Sequence, residues 1–446
     1  MSIQTKHHGY LSNSAWLLAS NLIASVLGLL VFSVIARTLG PVEYGYFAYV
    51  FSIAALFAIL GQMGLDGLMV REIVEAKDRA RQAVVMGTAG ALRLAGYAFG
   101  ALICLGFGLF MPAQTTTETW LFVTAFFFIL LTPLPLIPNA WLQAQSEARF
   151  GAMAGLTGNV VGSCFKIGLV LAGFGVIWVG AVQAGTVLLV LCIILPIYVW
   201  RGGPPILTLR FDWAVAKGML RESWQIFAGS ILAIIYLKID LVMLRWMSGP
   251  EEVGIYAVAA RLSEVPYILA ATIVTTIFPR LIELYKAGGP VYAARLQTVF
   301  HVMATLAFVL MGCVALLGPT VIRFAFGPEF TAAGPMLLIH MLAMPFIYMR
   351  YVFSRWIIME RFAVFSIYSQ GAGALANVAL NLMLIPAYGG TGAATATVIS
   401  YACASYFVLL LSGRTRPIFR MMTRALLMPW KALTELHHLR KNGVSH

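Results

Sequence analysis

The sequence predicts an all-α polytopic membrane protein of about twelve transmembrane helices, in two six-helix lobes related by a parallel pseudo-two-fold repeat. Three observations predict this fold class: a strongly apolar composition, twelve apolar runs of membrane length, and a turn motif that occurs twice. Of the 446 residues, 61% are hydrophobic and 11% are charged, whereas a soluble domain carries about 25% charged residues. The charged residues are too few to cover a soluble globule.

Twelve apolar runs lie between charged or Gly/Pro-rich segments, and their length suits a bilayer core. They fall near 14–36, 44–70, 84–111, 120–141, 152–173, 176–199, 224–247, 253–278, 298–318, 334–357, 364–385 and 391–412. The first run is too long for the apolar part of a signal peptide, so we expect it to remain as the first helix. The predicted domains are an N-terminal lobe at 1–200, a cytoplasmic linker at 201–223, a C-terminal lobe at 224–412 and a basic cytoplasmic tail at 413–446.

The distribution of basic residues predicts the orientation of the spans. With a cytoplasmic N-terminus, 23 of the 30 lysines and arginines fall in cytoplasmic connections or terminal segments, as the positive-inside rule requires. Both termini are therefore expected in the cytoplasm. The tail from Arg414 to His446 alternates basic and apolar residues. This pattern is typical either of a helix lying on an anionic leaflet or of a solvated, partly disordered tail.

A turn motif occurs once in each half of the chain. Residues 40–48 and 249–257 share the pattern GPxExGx[FY]A at an offset of 209 residues. Upstream, Trp16 and Arg37 are 21 residues apart, as are Trp224 and Arg245, so the register persists over a whole span. Because six spans separate the copies, both halves begin on the same side of the membrane, which predicts a parallel repeat with two lobes around a central cleft. The alternative is a Gly-Pro turn that recurs by chance.

The sequence gives no indication of catalysis, of a cofactor or of a metal site. It contains no HExxH, no GxxxxGK[ST] and no GxSxG motif, so the chain is not expected to be an enzyme. The five cysteines lie in or beside apolar runs without CxxC spacing, and only His301 and His340 lie outside the terminal segments. The net charge of +13 is spread between the runs, which argues against nucleic-acid binding.

Three segments resemble one family of membrane transporters. They begin with ARTLGPVEYGYF at residue 36, IDLVMLRWMSGPEEVG at residue 239 and NVALNLMLIPAYGGTG at residue 377. In this order they resemble the polysaccharide-transport branch of the MOP exporter superfamily, which contains the Wzx-type oligosaccharide flippases, over about residues 12–412. The resemblance implies a V-shaped pair of lobes in the bacterial cytoplasmic (inner) membrane. It also implies transfer of an undecaprenyl-diphosphate-linked O-antigen or exopolysaccharide repeat unit to the periplasmic leaflet, coupled to H⁺ or Na⁺.

Within the resemblance, Asp240 matches the family's acidic position in span 7. Asn377, Asn381, Pro386 and Gly392 match positions that serve helix packing and turns, and they are not expected to bind a ligand.

Charged residues within or beside the runs need a partner or a hydrated cavity. These residues are Asp66, Arg93, Lys166, Lys238, Asp240, Arg261 and Glu264. At about 1.5 Å per residue, the hairpin of spans 7 and 8 puts Asp240 level with Arg261, and Lys238 level with Glu264. Arg93 lies at a depth similar to that of Asp66, whereas Lys166 has no acid at its depth.

Two interpretations of these charges stay open. They are structural ion pairs, or the four cations bind the substrate's diphosphate while the three acids serve ion coupling. Lys166 either lines a cavity or extends to the outer interface.

Other functions also stay open. Within the superfamily, fourteen spans would favour a peptidoglycan-precursor flippase, and an acid-rich cavity would favour a drug or cation antiporter. A membrane glycan polymerase or ligase would carry a large periplasmic loop, but the outer connections here are short. A non-transporting scaffold is a third class. The expected partners are the lipid-linked glycan, membrane lipids, H⁺ or Na⁺, and a glycan polymerase complex.

Overall fold

The computed structural model describes residues 3–76, 78–111, 115–287, 290–362 and 364–432, with side chains from residue 27 onward except at 287. The helices of the first half are α1 (Ile3–Gln62), α2 (Asp66–Glu75), α3 (Arg79–Phe110), α4 (Thr116–Leu131), α5 (Pro133–Ala144), α6 (Ala148–Leu171) and α7 (Val176–Trp200). Those of the second half are α8 (Trp213–Ser248), α9 (Pro250–Glu264), α10 (Tyr267–Ala287), α11 (Pro290–Val321), α12 (Ala333–Met341), α13 (Met344–Met359), α14 (Val364–Ser405) and α15 (Arg416–Leu427). Short helical turns lie at Ile206–Thr208, Ile322–Phe326, Pro328–Phe330 and Phe407–Leu411.

These helices account for the predicted spans. Nine helical segments of the described residues are long and apolar enough to cross a membrane, and α12 with α13, which meet at a 43° bend, makes ten. α1 and α14 each join two helices across a glycine with non-helical backbone angles, Gly40 and Gly389. Division at these two glycines gives twelve spans in the described part of the chain. The predicted all-α polytopic fold is confirmed.

Both copies of the turn motif adopt the same backbone conformation. Gly40 has φ 76° and ψ 172°, and Gly249 has φ 93° and ψ 175°. Such angles favour glycine, because they crowd a Cβ atom. The proline that follows each glycine has no N–H, and a residue entering a helix needs none. The repeat seen in the sequence is therefore present in the backbone as well.

Contacts divide the chain into two units, Met1–Ile234 and Ile235–His446. The division falls within α8, after the predicted start of the second lobe at residue 224. The first turns of α8 belong to the first unit, where Met219 and Ser223 are buried. The second part of the segment predicted as a linker, from residue 213 to 223, is therefore helical and packed.

The core of the first unit includes side chains of α2, α3, α5, α7 and α8. Trp141 packs edge-on against Tyr198 with ring centroids 5.3 Å apart. Its indole N–H donates to the Gln82 side-chain oxygen at 3.2 Å, which satisfies the polar end of a buried aromatic residue.

The tail begins with an amphipathic helix that packs on the second unit. Ile418, Met422 and Ala425 of α15 are buried, and the helix lies against α11. One of the two predictions for this segment was a helix lying on an anionic leaflet. The described residues form a helix whose apolar face packs on the second unit, and its contact with a leaflet stays a prediction. Residues 433–446 of the predicted tail, including the basic residues Arg440 and Lys441, lie outside the described residues.

Candidate functional site

A buried carboxylate lies at the centre of a polar cluster in the second unit. Asp240 of α8 is 4% exposed. Its side chain accepts hydrogen bonds from the Tyr256 hydroxyl, from the Leu241 backbone N–H at 2.8 Å and from the Thr397 hydroxyl at 3.4 Å. α8, α9 and α14 thus each contribute to holding one acid, and all three donors are uncharged.

A small cavity borders this carboxylate. It holds about 20 Å³, which is room for about one water-sized guest. The side chains that line it come from α8, α9, α10, α12 and α14: Tyr236, Leu237, Asp240, Ala260, Ser263, Glu264, Tyr267, His340, Thr397 and Tyr401. Hydroxyl and carboxylate oxygens dominate its polar lining, which suits a small cation.

His340 lines the same cavity from α12. It is 4% exposed, and its ring centroid lies 5.2 Å from that of Tyr256. Its Nε2 atom is buried and makes no hydrogen bond within the described residues. A polar atom without a partner is costly when buried, and it belongs here to a residue that lines the cavity.

The structure places the charges of spans 7 and 8 differently from one prediction. Lys238 Nζ lies 3.9 Å from Glu264 Oε1, so this predicted pair is confirmed. Arg261 is not paired with Asp240 within the described chain, because its Nη1 lies 3.4 Å from Glu264 Oε2 on the same helix. Arg261 is five residues beyond Tyr256, which is about 140° further round the helix. Arg261 therefore lies at the same depth as Asp240 but on a different face of α9 from Tyr256, which contacts Asp240.

The predicted pair of Arg93 and Asp66 is also confirmed. The two side chains form an ion pair in which Arg93 is 2% exposed and Asp66 is 70% exposed. Arg93 lies in the middle of α3, whereas Asp66 begins α2. The carboxylate therefore reaches a buried cation from a solvent-accessible helix end.

Lys166 has a neutral partner. Its ammonium donates to the Gln183 side-chain oxygen, across α6 and α7. Within the described residues it forms no ion pair, which agrees with the absence of an acid at its depth. Lys166 is half-buried, so its ammonium remains partly accessible. No carboxylate of the described residues neutralises its charge.

Sequence reasoning missed the role of the glutamate in the turn motif. Glu43 accepts a hydrogen bond from the Val176 backbone N–H at 3.4 Å, where α7 begins. Glu252 accepts one from the Gly390 backbone N–H at 2.7 Å, where the second helix of α14 begins. The sequence feature that could have indicated this role is the glutamate that recurs in both copies of the motif. Gly-Pro alone is weaker, since Gly327 before Pro328 has similar angles, φ 96° and ψ 172°.

The two halves differ at the polar cluster. Tyr256 occupies the aromatic position of the second motif, and Phe47 occupies it in the first. In the register of Trp16 and Trp224, Asp240 corresponds to Phe32. Phe32 instead packs edge-on against Tyr44, with ring centroids 5.1 Å apart. The carboxylate and its tyrosine donor are thus specific to the second half.

Solved structures of transporters share this fold. A lipid II flippase, MurJ, in an inward closed conformation aligns with a TM-score of 0.71 at 16% identity, over 93% of this chain and 91% of that one. An inward-facing MATE-family multidrug resistance transporter of the MOP superfamily gives 0.60 at 19% identity, over 94% and 96%. The MATE multidrug transporter DinF-BH gives 0.62 at 14% identity, over 92% and 96%.

Sequence comparison identifies the family directly. No curated protein matches the chain. The family model described as "Polysaccharide biosynthesis protein" matches residues 10–285, which is more than half of the chain. The chain therefore belongs to the family of polysaccharide biosynthesis proteins, in the polysaccharide-transport branch of the MOP exporter superfamily.

Proposed function

We propose that this chain is a flippase that moves an undecaprenyl-diphosphate-linked oligosaccharide from the cytoplasmic to the periplasmic leaflet of a bacterial cytoplasmic membrane. Family membership supports a role in polysaccharide assembly, and the fold is one that transporters use. The chain acts as a transporter and not as an enzyme, with both termini in the cytoplasm. A glycan polymerase complex is the proposed recipient of the translocated unit.

The uncompensated charge of Lys166 is the observation that carries the substrate assignment. A diphosphate group needs cations that are not already neutralised. The intramembrane cations Arg93, Lys238 and Arg261 each have a carboxylate partner, whereas Lys166 has an amide. We assign Lys166 as the main ligand of the diphosphate. The other three bind substrate only when their carboxylates are displaced.

Asp240 is the proposed coupling site. Its hydrogen-bond donors are all uncharged, so none of them neutralises the carboxylate. Binding of H⁺ or Na⁺ would neutralise it and lower the cost of burying its charge. The adjoining cavity of about 20 Å³ accommodates one such ion. Glu264 lines the same cavity, and its carboxylate lies 3.9 Å from Lys238 Nζ. Binding a cation at Asp240 would change the field that this pair experiences.

Reconstitution in proteoliposomes tests the proposal. The vesicles contain fluorescent undecaprenyl-diphosphate-linked oligosaccharide, and translocation is followed as the fraction of fluorophore that an impermeant quencher reaches. We expect the native protein to accelerate translocation, and an imposed H⁺ or Na⁺ gradient to increase it. The Lys166→Ala variant should lose translocation, and the Asp240→Asn variant should lose its dependence on the gradient.

The rival functions give different results in the same vesicles. A peptidoglycan-precursor flippase would translocate fluorescent lipid II in preference to the oligosaccharide lipid. A drug antiporter would move a cationic dye and neither lipid. Preference for either rival substrate would overturn the proposed substrate class. Equal inactivity toward all three substrates, from protein that remains monodisperse, would favour a non-transporting scaffold.

A further inference from the structure

The outer face of α15 carries a row of three arginines. Arg416, Arg420 and Arg424 are all exposed, and a spacing of four residues puts them on one face of a helix, about 6 Å apart along its axis. None of the three forms an ion pair with a described residue. The neighbouring Arg414 differs, because its guanidinium lies 3.7 Å from the Glu360 carboxylate.

The opposite face of α15 is fixed to the second unit. Gln297 of α11 donates its side-chain N–H to the Met421 carbonyl at 3.0 Å. The Tyr406 ring packs on Phe419 with centroids 4.5 Å apart. Tyr406 and Thr423 also join their hydroxyls at 2.7 Å. These contacts fix the rotation of α15 about its own axis. The face that carries the three arginines therefore points away from the second unit.

Exposed apolar side chains lie at the ends of this row. Leu411 is 77% exposed, Leu427 is 67% exposed and Trp430 is 61% exposed. Exposed tryptophan and leucine side chains at the ends of a helix that carries arginines are typical of a helix at the boundary of headgroups and acyl chains. The surface combines anchors for the acyl region with cations for the headgroups.

We propose that α15 binds anionic phospholipid headgroups, of the phosphatidylglycerol class, through Arg416, Arg420 and Arg424. A guanidinium forms two parallel hydrogen bonds to a phosphate, and three of them in a row would hold neighbouring lipids. This lipid-binding surface lies on the second unit, separate from the cavity at Asp240, and its role does not depend on the transported substrate.

Native mass spectrometry of the full chain in detergent tests the proposal. The protein is titrated with dioleoylphosphatidylglycerol and, separately, with dioleoylphosphatidylcholine. We expect native protein to retain the anionic lipid preferentially. The triple variant Arg416→Gln, Arg420→Gln, Arg424→Gln should bind it at least about tenfold more weakly, with no change for phosphatidylcholine. Because the three side chains are exposed, the elution volume and melting temperature should stay unchanged.

A second triple variant controls for net charge. Arg81, Lys217 and Arg221 are exposed residues of the first unit, and replacing all three by glutamine removes the same charge. This control should keep native binding of phosphatidylglycerol. Equal loss in both triple variants would mean diffuse attraction by net charge and would overturn the proposal. Native lipid binding by the α15 variant would also overturn it, and would favour an acidic protein segment as the partner of the row.

Discussion

The Glu252 carboxylate accepts a hydrogen bond from the backbone N–H of Gly390 at 2.7 Å, and so joins the turn between α8 and α9 to the start of the last span. The first N–H groups of a helix have no partner within the helix and carry partial positive charge, which a carboxylate satisfies. Glu43 makes the equivalent contact with Val176. In each half, therefore, the turn between the first two spans caps the sixth.

Removing the Glu252 cap should lower stability. We expect Glu252→Ala to cost about 0.5–2 kcal/mol, as the loss of a helix cap does, and Glu43→Ala to cost less because its contact is longer, 3.4 Å against 2.7 Å. The measurement is the melting temperature of the detergent-solubilised protein. Glu251→Ala is the matched control, since Glu251 is adjacent and exposed. Equal shifts for Glu251→Ala and Glu252→Ala would contradict the capping role.

The ion pair of Asp66 and Arg93 makes a prediction about abundance. Asp66→Asn leaves a 2% exposed guanidinium without its counter-charge, and removing one partner of a buried pair costs roughly 3–5 kcal/mol. We expect the lower end of that range, because Asp66 is 70% exposed. Adding Arg93→Met should restore membrane abundance.

An exposed pair in the same unit is the control for that experiment. Arg71 and Glu222 lie 2.5 Å apart with side chains 45% and 53% exposed, and surface pairs contribute about 0–1 kcal/mol. Glu222→Gln should therefore leave abundance near native. A failure of Arg93→Met to rescue Asp66→Asn would show that Asp66 acts through something other than this pair.

The partners of Asp240 predict which substitutions are coupled. Arg261 is 54% exposed and pairs with Glu264, so Arg261→Gln should leave membrane abundance near native and should not restore the abundance of Asp240→Asn. Tyr256→Phe should instead weaken the site, because loss of one partner of a buried hydrogen bond costs about 1–3 kcal/mol. Abundance and gradient-dependent transport are measured for each variant. Rescue of Asp240→Asn by Arg261→Gln would establish a direct pair that the geometry does not support.

Lys166 and Gln183 allow a test of charge against shape. Lys166→Arg should retain substantial glycan export, whereas Lys166→Ala should stay folded and lose export. Gln183→Glu should reduce export roughly tenfold, because a carboxylate beside Lys166 would compete with the anionic substrate for it. Surface polysaccharide and membrane abundance are measured in a deletion strain. The exposed Lys217→Ala is the control. Native export by Lys166→Ala would contradict a role in substrate binding and would mean that the lysine only extends to the outer interface.

Orientation is tested with alkaline phosphatase fusions. The excess of basic residues on one side predicts inactive fusions after residues 80 and 440, and an active fusion after Gly249. Residue 440 and the predicted cytoplasmic Lys77 lie outside the described residues, so this experiment also covers segments that the structure does not. Strong activity after residue 80 would reverse the assigned topology.

The spans and their depths could be predicted from the sequence, because run length is set by bilayer thickness and depth by residue count. Depth sufficed for Lys238 with Glu264 and for Arg93 with Asp66. It did not suffice for Asp240, because counting residues from the tip of a hairpin gives the depth of a side chain but not the rotation of its helix. The rotation of α9 turns Tyr256, at the aromatic position of the repeated motif, toward Asp240 in place of Arg261.

Contacts between segments that are distant in sequence also could not be predicted from the sequence. Glu252 and Gly390 are 138 residues apart, and only the packing of α9 against α14 brings them together. The sequence showed that the glutamate recurs, but it did not show which backbone group it meets. The neutral partner of Lys166 was equally hidden, because one glutamine among many polar residues has no distinguishing pattern.

The room beside Asp240 bears on the energy available for transport. A space of about 20 Å³ suits one water-sized guest, so under the proposed coupling one cation occupies this site at a time. Moving one elementary charge across 100 mV releases about 2.3 kcal/mol, equivalent to roughly a 50-fold concentration ratio. The diphosphate of the transported lipid is itself charged, so the membrane potential acts on the substrate as well as on the coupling ion.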